Sequence, residues 1–289
     1  MSESSSLGIA LGVFAYGLFS AHDAAIKWLV DTLPVWQVLF FRSVTVLTAV
    51  LAIGNRPLIE RAVTSPLRWA LTGRAVLMLI AWICYFTAAR TIPLAQLISL
   101  YFAAPLVVTL LAAPLLGEHV TIWRWAAVLI GFVGVMLASD PWGVSASVAT
   151  LLVLIAAAIW GYGIILMRMI ARRETSMMQM LFTNTVFLVG TGIACLFTWQ
   201  PTSAGQLLLL FGIGVSGGLA QYCVFEAARH APASVMATVE YSGLIWAFIL
   251  GFAIWGDIPT PAVWAGAGLI CLAGVLLVFS ERRRAPSAS

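Results

Sequence analysis

The feature that most constrains this chain is that its membrane-length apolar runs are written twice. Residues 95–139 hold two apolar spans joined by a short polar turn, Gly117-Glu118-His119. At an offset of 139 residues the pattern returns: Ala81 falls on Ala220, Cys84 on Cys223, Phe86 on Phe225, and Ala88-Ala89-Arg90 on Ala227-Ala228-Arg229. Pro93 falls on Pro232, Gly117 on Gly256, Thr121 on Thr260 and Trp125 on Trp264, with Glu118 answered by Asp257. Ala, Leu and Gly are common enough to align by accident, but matched Arg, Pro, Trp and Cys at one offset are not. A long-period repeat in a membrane chain marks a molecule built from two related halves.

Composition decides the solvent. Of 289 residues, 62% are hydrophobic and 9% charged, whereas a soluble domain carries about 25% charged residues. Such a chain cannot coat a globule with polar surface, so a lipid bilayer is its partner. The formal net charge of +4 does not point to nucleic acid, because the arginines fall in short loops and form no basic face. Cys84, Cys195, Cys223 and Cys271 all sit inside apolar spans, with no disulfide or metal spacing among them. No cofactor pattern is present. The start, MSESSSLGIA, has no basic n-region, so the first span is expected to be retained.

A helix needs about 20 apolar residues to cross the hydrocarbon core. Read that way, the spans are 7–30, 35–53, 69–89, 93–116, 122–139, 148–170, 177–199, 207–228, 232–255 and 261–280. The expected fold is therefore an all-α membrane protein of ten helices, five in each half (1–140 and 148–280), with a tail over 281–289. The longest connection is expected at about 54–68, and no soluble domain is inserted. Arg56, Arg61 and Arg68, then Arg172 and Arg173, then Arg282, Arg283 and Arg284 all fall on one side of this count, with both termini. The positive-inside rule makes that side cytoplasmic. Five helices per half is an odd number, so the second half enters the membrane upside down and the repeats are inverted. In that design a substrate sits near the midplane between the halves, and access alternates.

With the repeat and the spans in view, the chain resembles the drug/metabolite transporter superfamily, in its ten-helix EamA-type branch. The residues that carry the resemblance are Phe41-Arg42 in span 2, Pro105 in span 4, Leu116-Gly117-Glu118 with Thr121 at the turn, and Gly131 and Gly134 in span 5. Within the branch it looks most like YddG-type amino-acid exporters of bacterial inner membranes. The second half departs from the pattern at Leu244, where the first half has Pro105, and at Asp257, where it has Glu118. The resemblance implies a pathway surrounded by helices 1, 3, 4, 6, 8 and 9, with helices 5 and 10 at the periphery. It implies an inner-membrane secondary transporter that exports aromatic and other apolar amino acids and related small metabolites. A monomer suffices for that reading.

Several residues could carry transport. Tyr101 and Glu240 each lie eight residues after a repeated proline, about 12 Å along their helices and close to mid-bilayer. A pseudo-twofold site would then face a phenol with a carboxylate, a pair suited to an ammonium group on an apolar body. A carboxylate at that depth marks a functional site by default; the alternative is a neutral acid hydrogen-bonded between helices. Trp82 and Tyr85 on helix 3, Trp160 on helix 6, Tyr222 on helix 8 and Tyr241 beside Glu240 supply a candidate aromatic pocket, with plain packing as the alternative. His22, Asp23 and Lys27 in span 1, with Arg42 in span 2, are gating or coupling candidates. Asp23 and Lys27 are one turn apart, so an ion pair is the cheap expectation, and His22 can titrate near neutrality. Pro105 should kink span 4 as a hinge or for packing.

A membrane-embedded enzyme is the main reading from another class. No Asp-rich diphosphate motif, His-x-x-x-His pair or GxSxG elbow supports it, and His22, His119 and His230 are scattered. A channel is disfavoured by the inverted repeat, and no nucleotide-binding motif suggests ATP-driven pumping.

Overall fold

A computed structural model describes residues 3–104, 107, 111, 122–138, 147–171, 173–230 and 242–282. These residues form ten helices: α1 (Glu3–Val30), α2 (Val35–Thr64), α3 (Arg68–Ala88), α4 (Leu94–Tyr101), α5 (Ile122–Ala138), α6 (Val148–Ala171), α7 (Ser176–Thr198), α8 (Ala204–His230), α9 (Ser242–Trp255) and α10 (Pro261–Arg282). There is no strand among the described residues. In hydrocarbon every backbone N–H and C=O must be satisfied within its own segment, so long apolar runs fold as helices. Among the described residues five stretches are both long and apolar enough to cross a bilayer by themselves: Val35–Gly54, Arg68–Ala88, Val148–Met167, Ser176–Thr198 and Ala204–Val224. We call the face where α1 begins and α10 ends the terminal face, and the opposite one the distal face.

The packing obeys the repeat. Exchanging each helix of one half for its counterpart in the other turns α1 on α8 into α6 on α3, and both are extensive packings. The same exchange turns α3 on α7 into α8 on α2, and α1 on α9 into α6 on α4. Three further pairs, α2 with α7, α4 with α9 and α5 with α10, map onto themselves. A twofold between the halves produces that closure, and with five helices in each half the second repeat is inverted relative to the first. α5 and α10 pack mainly on each other and more lightly on α4, with Trp264 of α10 stacked on Phe248 of α9 at 4.1 Å, which makes them a peripheral pair. At their contact a Cβ on Gly134 would stand 2.9 Å from the Gly266 carbonyl oxygen. Glycine there lets the two backbones touch.

Two boundaries differ from the sequence expectation. The expected loop over 54–68 is helical as far as Thr64, running through Pro57. Arg56 and Glu60 pair at 3.0 Å one turn apart on that extension, which carries helix α2 past the apolar span on polar side chains. Span 4, expected to run over 93–116, is helix α4 to Tyr101, breaks in a turn at Phe102 and Ala103, and is helical again at Ala104, Val107 and Leu111. Pro105 itself lies outside the described residues, but a proline there offers no N–H to the Tyr101 carbonyl. The turn after α9 is built on the repeated glycine: Gly256 takes φ +69 and donates to Phe252 O, while Asp257 N reaches Gly251 O, an ending of the αL type.

Candidate functional site

The interior polar residues gather where α1, α2, α3 and α7 meet. Arg42 is 2% exposed. Its Nε donates to His22 Nε2 at 3.2 Å and its Nη1 to Asn184 Oδ1 at 3.5 Å. Its guanidinium carbon lies 4.2 Å from the Trp82 ring centre, a cation–π contact worth more when desolvated, as here. With Nε2 accepting, the His22 proton sits on Nδ1 and is donated to Asp23 Oδ1 at 3.0 Å. The other Asp23 oxygen accepts from the Tyr85 hydroxyl at 3.2 Å. On α8, Gly217 faces this cluster, and a Cβ there would stand 2.7 Å from His22 and 3.2 Å from Arg42 Nε.

An aromatic string continues from the cluster. Phe187 meets Trp82 at 5.7 Å and Trp82 meets Phe86 at 5.5 Å. Phe86 meets Tyr85, and Tyr85 meets Tyr101, both at 5.0 Å. Tyr101 meets Trp160 at 6.0 Å. Rings from α7, α3, α4 and α6 thus line one seam between the halves. The structure brings together His22, Asp23, Arg42, Trp82, Tyr85, Tyr101 and Trp160. Glu240 and Tyr241 lie outside the described residues.

Two expectations are corrected. Lys27 does not pair with Asp23. Its Nζ donates to Ala89 O at 2.7 Å and to Ile92 O at 2.8 Å. The carbonyls at a helix C-terminus lack intrahelical donors and carry partial negative charge. The flexible lysine stem reaches the end of α3, where Asp257 and Asp31 also attract it, and Asp23 turns to Tyr85 and His22. Tyr222 is not in the pocket; it is 47% exposed. α8 packs on α1 and α2, leaving Leu208, Phe211, Val215, Leu219 and Tyr222 exposed at helical spacing. That stripe faces lipid.

Sequence reasoning passed over three interior groups. Asn184 holds Arg42; Arg74 is buried with Nε on Gly163 O at 3.2 Å; and Gln37 bridges to the α7–α8 connection. The signal for two of them was a second register. At an offset of 142, Gln37 falls on Gln179, Leu39 on Leu181, Phe40 on Phe182, Val44 on Val186, and Arg42 on Asn184. Arg42 therefore touches its own repeat mate, which places the pseudo-twofold at the α2–α7 crossing.

Two inverted helical halves around a polar, aromatic seam are the architecture of a multi-pass membrane transporter. The chain belongs to the EamA-like transporter family, which it matches over residues 6–140 and again over 147–280. It is 27% identical to a riboflavin transporter of Vibrio cholerae, covering 73% of this chain and 70% of that protein. It is 27% identical to a pseudopaline exporter of Pseudomonas aeruginosa over 95% of this chain and 97% of that one. An S-adenosylmethionine uptake transporter of Rickettsia bellii is 26% identical, with 96% and 95% covered. A solved crystal structure matches with a TM-score of 0.67 at 20% identity, covering 99% of this chain and 100% of the other, which shows a shared fold. These relatives support the family; they do not single out the YddG-type amino-acid exporters.

Proposed function

We propose that the protein is a bacterial inner-membrane secondary transporter that exports amino acids, aromatic and apolar ones favoured, with related small metabolites, by alternating access. The halves are 1–140 and 148–280, and the terminal face, with the 281–289 tail, is cytoplasmic. The observation that carries this reading is the seam: the aromatic string from Phe187 to Trp160 runs beside the charged cluster at the pseudo-twofold. Rings give an apolar side chain a wall, and Arg42 and Asp23 offer opposite charges to a zwitterion. Glu240, at the position repeat-related to Tyr101, is the expected partner of an ammonium group, and Pro105 the expected hinge.

The relatives favour a second reading, in which the cargo is a larger metabolite such as riboflavin or S-adenosylmethionine. Reconstitution into proteoliposomes tests both. Labelled tryptophan, phenylalanine, riboflavin and S-adenosylmethionine should be loaded separately and their efflux followed with and without a pH gradient. Efflux of the aromatic amino acids supports the first reading. Movement of riboflavin or S-adenosylmethionine alone replaces it with the second. For topology, a reporter fused at Ser289 should read cytoplasmic and one at Asp140 periplasmic; a periplasmic signal at Ser289 overturns the orientation.

A further inference from the structure

We infer that Arg42 is the group that recognises a carboxylate on the transported molecule, so that cargo must carry an anionic group beside its aromatic body. This rests on the amino-acid reading above and specifies which end of the substrate goes where.

Arg42 carries a charge that no contacting carboxylate offsets among the described residues. Arg42 is almost fully buried on a helix that crosses the bilayer, and a guanidinium does not lose its proton. Among the described residues no carboxylate lies within salt-bridge distance of it. Its two hydrogen-bond acceptors, His22 Nε2 and Asn184 Oδ1, are both neutral. Asp23 stands on the far side of the imidazole, with its oxygens taken by His22 and Tyr85. A buried cation without a contacting anion is costly, and such residues mark substrate pathways.

The guanidinium is also held in place. Trp82 covers one face, His22 and Asn184 fix its edge from α1 and α7, and Gly217 lets α8 close against it, since a Cβ there would stand 2.7 Å from His22 and 3.2 Å from Arg42 Nε. Arginine presents five donors in a rigid fork that matches a carboxylate, and only two of them are assigned here. Because Trp82 is a member of the aromatic string, an anion at the fork sets its apolar part against those rings. The repeat does not duplicate the charge, since the mate of Arg42 is the neutral Asn184. The dyad is thus electropositive on one side only. Arg74, a second buried arginine, also has no ion pair among the described residues.

The test is counterflow of labelled tryptophan in proteoliposomes, with three indole competitors. L-tryptophan carries both charges, indole-3-propionate only the carboxylate, and tryptamine only the ammonium. Indole-3-propionate and tryptamine, each lacking one of the two charges, should each compete roughly ten- to a hundredfold less well than tryptophan, the worth of a charge-assisted contact. Arg42→Gln should weaken tryptophan and indole-3-propionate by that factor and leave tryptamine unchanged; a purely structural arginine would move all three together. If Arg42→Gln does not fold, the wild-type competitor series still decides, and Arg42→Lys should retain the preference for tryptophan over tryptamine. Tryptamine competing as well as tryptophan overturns the inference and leaves the transport reading intact. Absence of tryptophan counterflow overturns both.

Discussion

The two ends of the α2–α7 packing occupy repeat-related positions but are tied by different chemistry. At the distal end the buried Gln37 amide bonds reciprocally with the Gln200 backbone, donating to its carbonyl at 2.8 Å and accepting from its N–H at 3.0 Å. Gln206 adds a bond to Thr32 at 3.1 Å. At the terminal end Glu174 takes the Ser65 hydroxyl at 2.6 Å and the Arg61 guanidinium at 3.2 Å. The registers of the repeat relate Thr32 to Glu174, Gln37 to Gln179, and Gln200 to Arg61. Yet Gln179 Oε1 is buried with no hydrogen-bond partner among the described residues. The distal tie is neutral and complete, whereas the terminal tie is ionic and leaves its amide acceptor unmade. Inverted repeats must be closed on one face and open on the other during transport, and here the difference falls on matched residues.

The largest effect should come from the distal face. Lys27 caps the end of α3 through two charge-assisted bonds, so Lys27→Ala should cost about 3 kcal/mol, read as a lowered Tm in detergent. A double-mutant cycle with Asp23→Asn should give coupling within about 0.5 kcal/mol of zero. Strong coupling would restore the Asp23–Lys27 pair and contradict the geometry.

That pair shows where sequence reasoning stops. Spacing places Asp23 and Lys27 one turn apart, but it cannot weigh orphan carbonyls that α3 supplies from elsewhere. The ten spans, the inversion and most of the aromatic seam were legible, because apolar length and the repeat are local signals. Tyr222 was not, since which face of α8 meets lipid depends on α1 and α2. Nor were Asn184 and the Gln37–Gln179 relation. A single offset of 139 matches the α3–α4 region to α8–α9, whereas α2 and α7 align at 142, because the connections differ in length. The stretch over 54–68 reads as a connection, but the Arg56–Glu60 pair carries helix α2 on through Pro57.

Next in size is Gln37→Ala. It removes two neutral hydrogen bonds at a fully buried position and strands the Gln200 N–H, for about 2 kcal/mol. The loss should be the same in low and high salt. Arg61→Ala should cost about 1 kcal/mol, because the Arg61 side chain is 52% exposed and water reaches the pair, although the Glu174 carboxylate it leaves behind is only 5% exposed. Its cost should fade further in molar salt, where the Debye length is about 3 Å. Equal salt dependence of the two variants would erase the chemical contrast between the ends.

The smallest effect on stability should be at Gln179, and it tests the contrast most directly. Gln37 and Gln179 occupy matched positions, so a symmetric molecule would lose equally from either. Among the described residues Gln179 Oε1 has no bond to lose, and a buried acceptor without a partner costs about 1–3 kcal/mol. Gln179→Leu keeps the bulk and removes that acceptor, so Tm should stay level or rise, whereas Gln37→Leu should lower it. Transport should respond in the opposite sense. If closing the terminal face requires Gln179 to make the bond that Gln37 already makes, Gln179→Leu should slow efflux while leaving the protein stable. A Gln179→Leu protein as unstable as Gln37→Leu would mean both ends are equally made, and the asymmetry between the faces would fall with it.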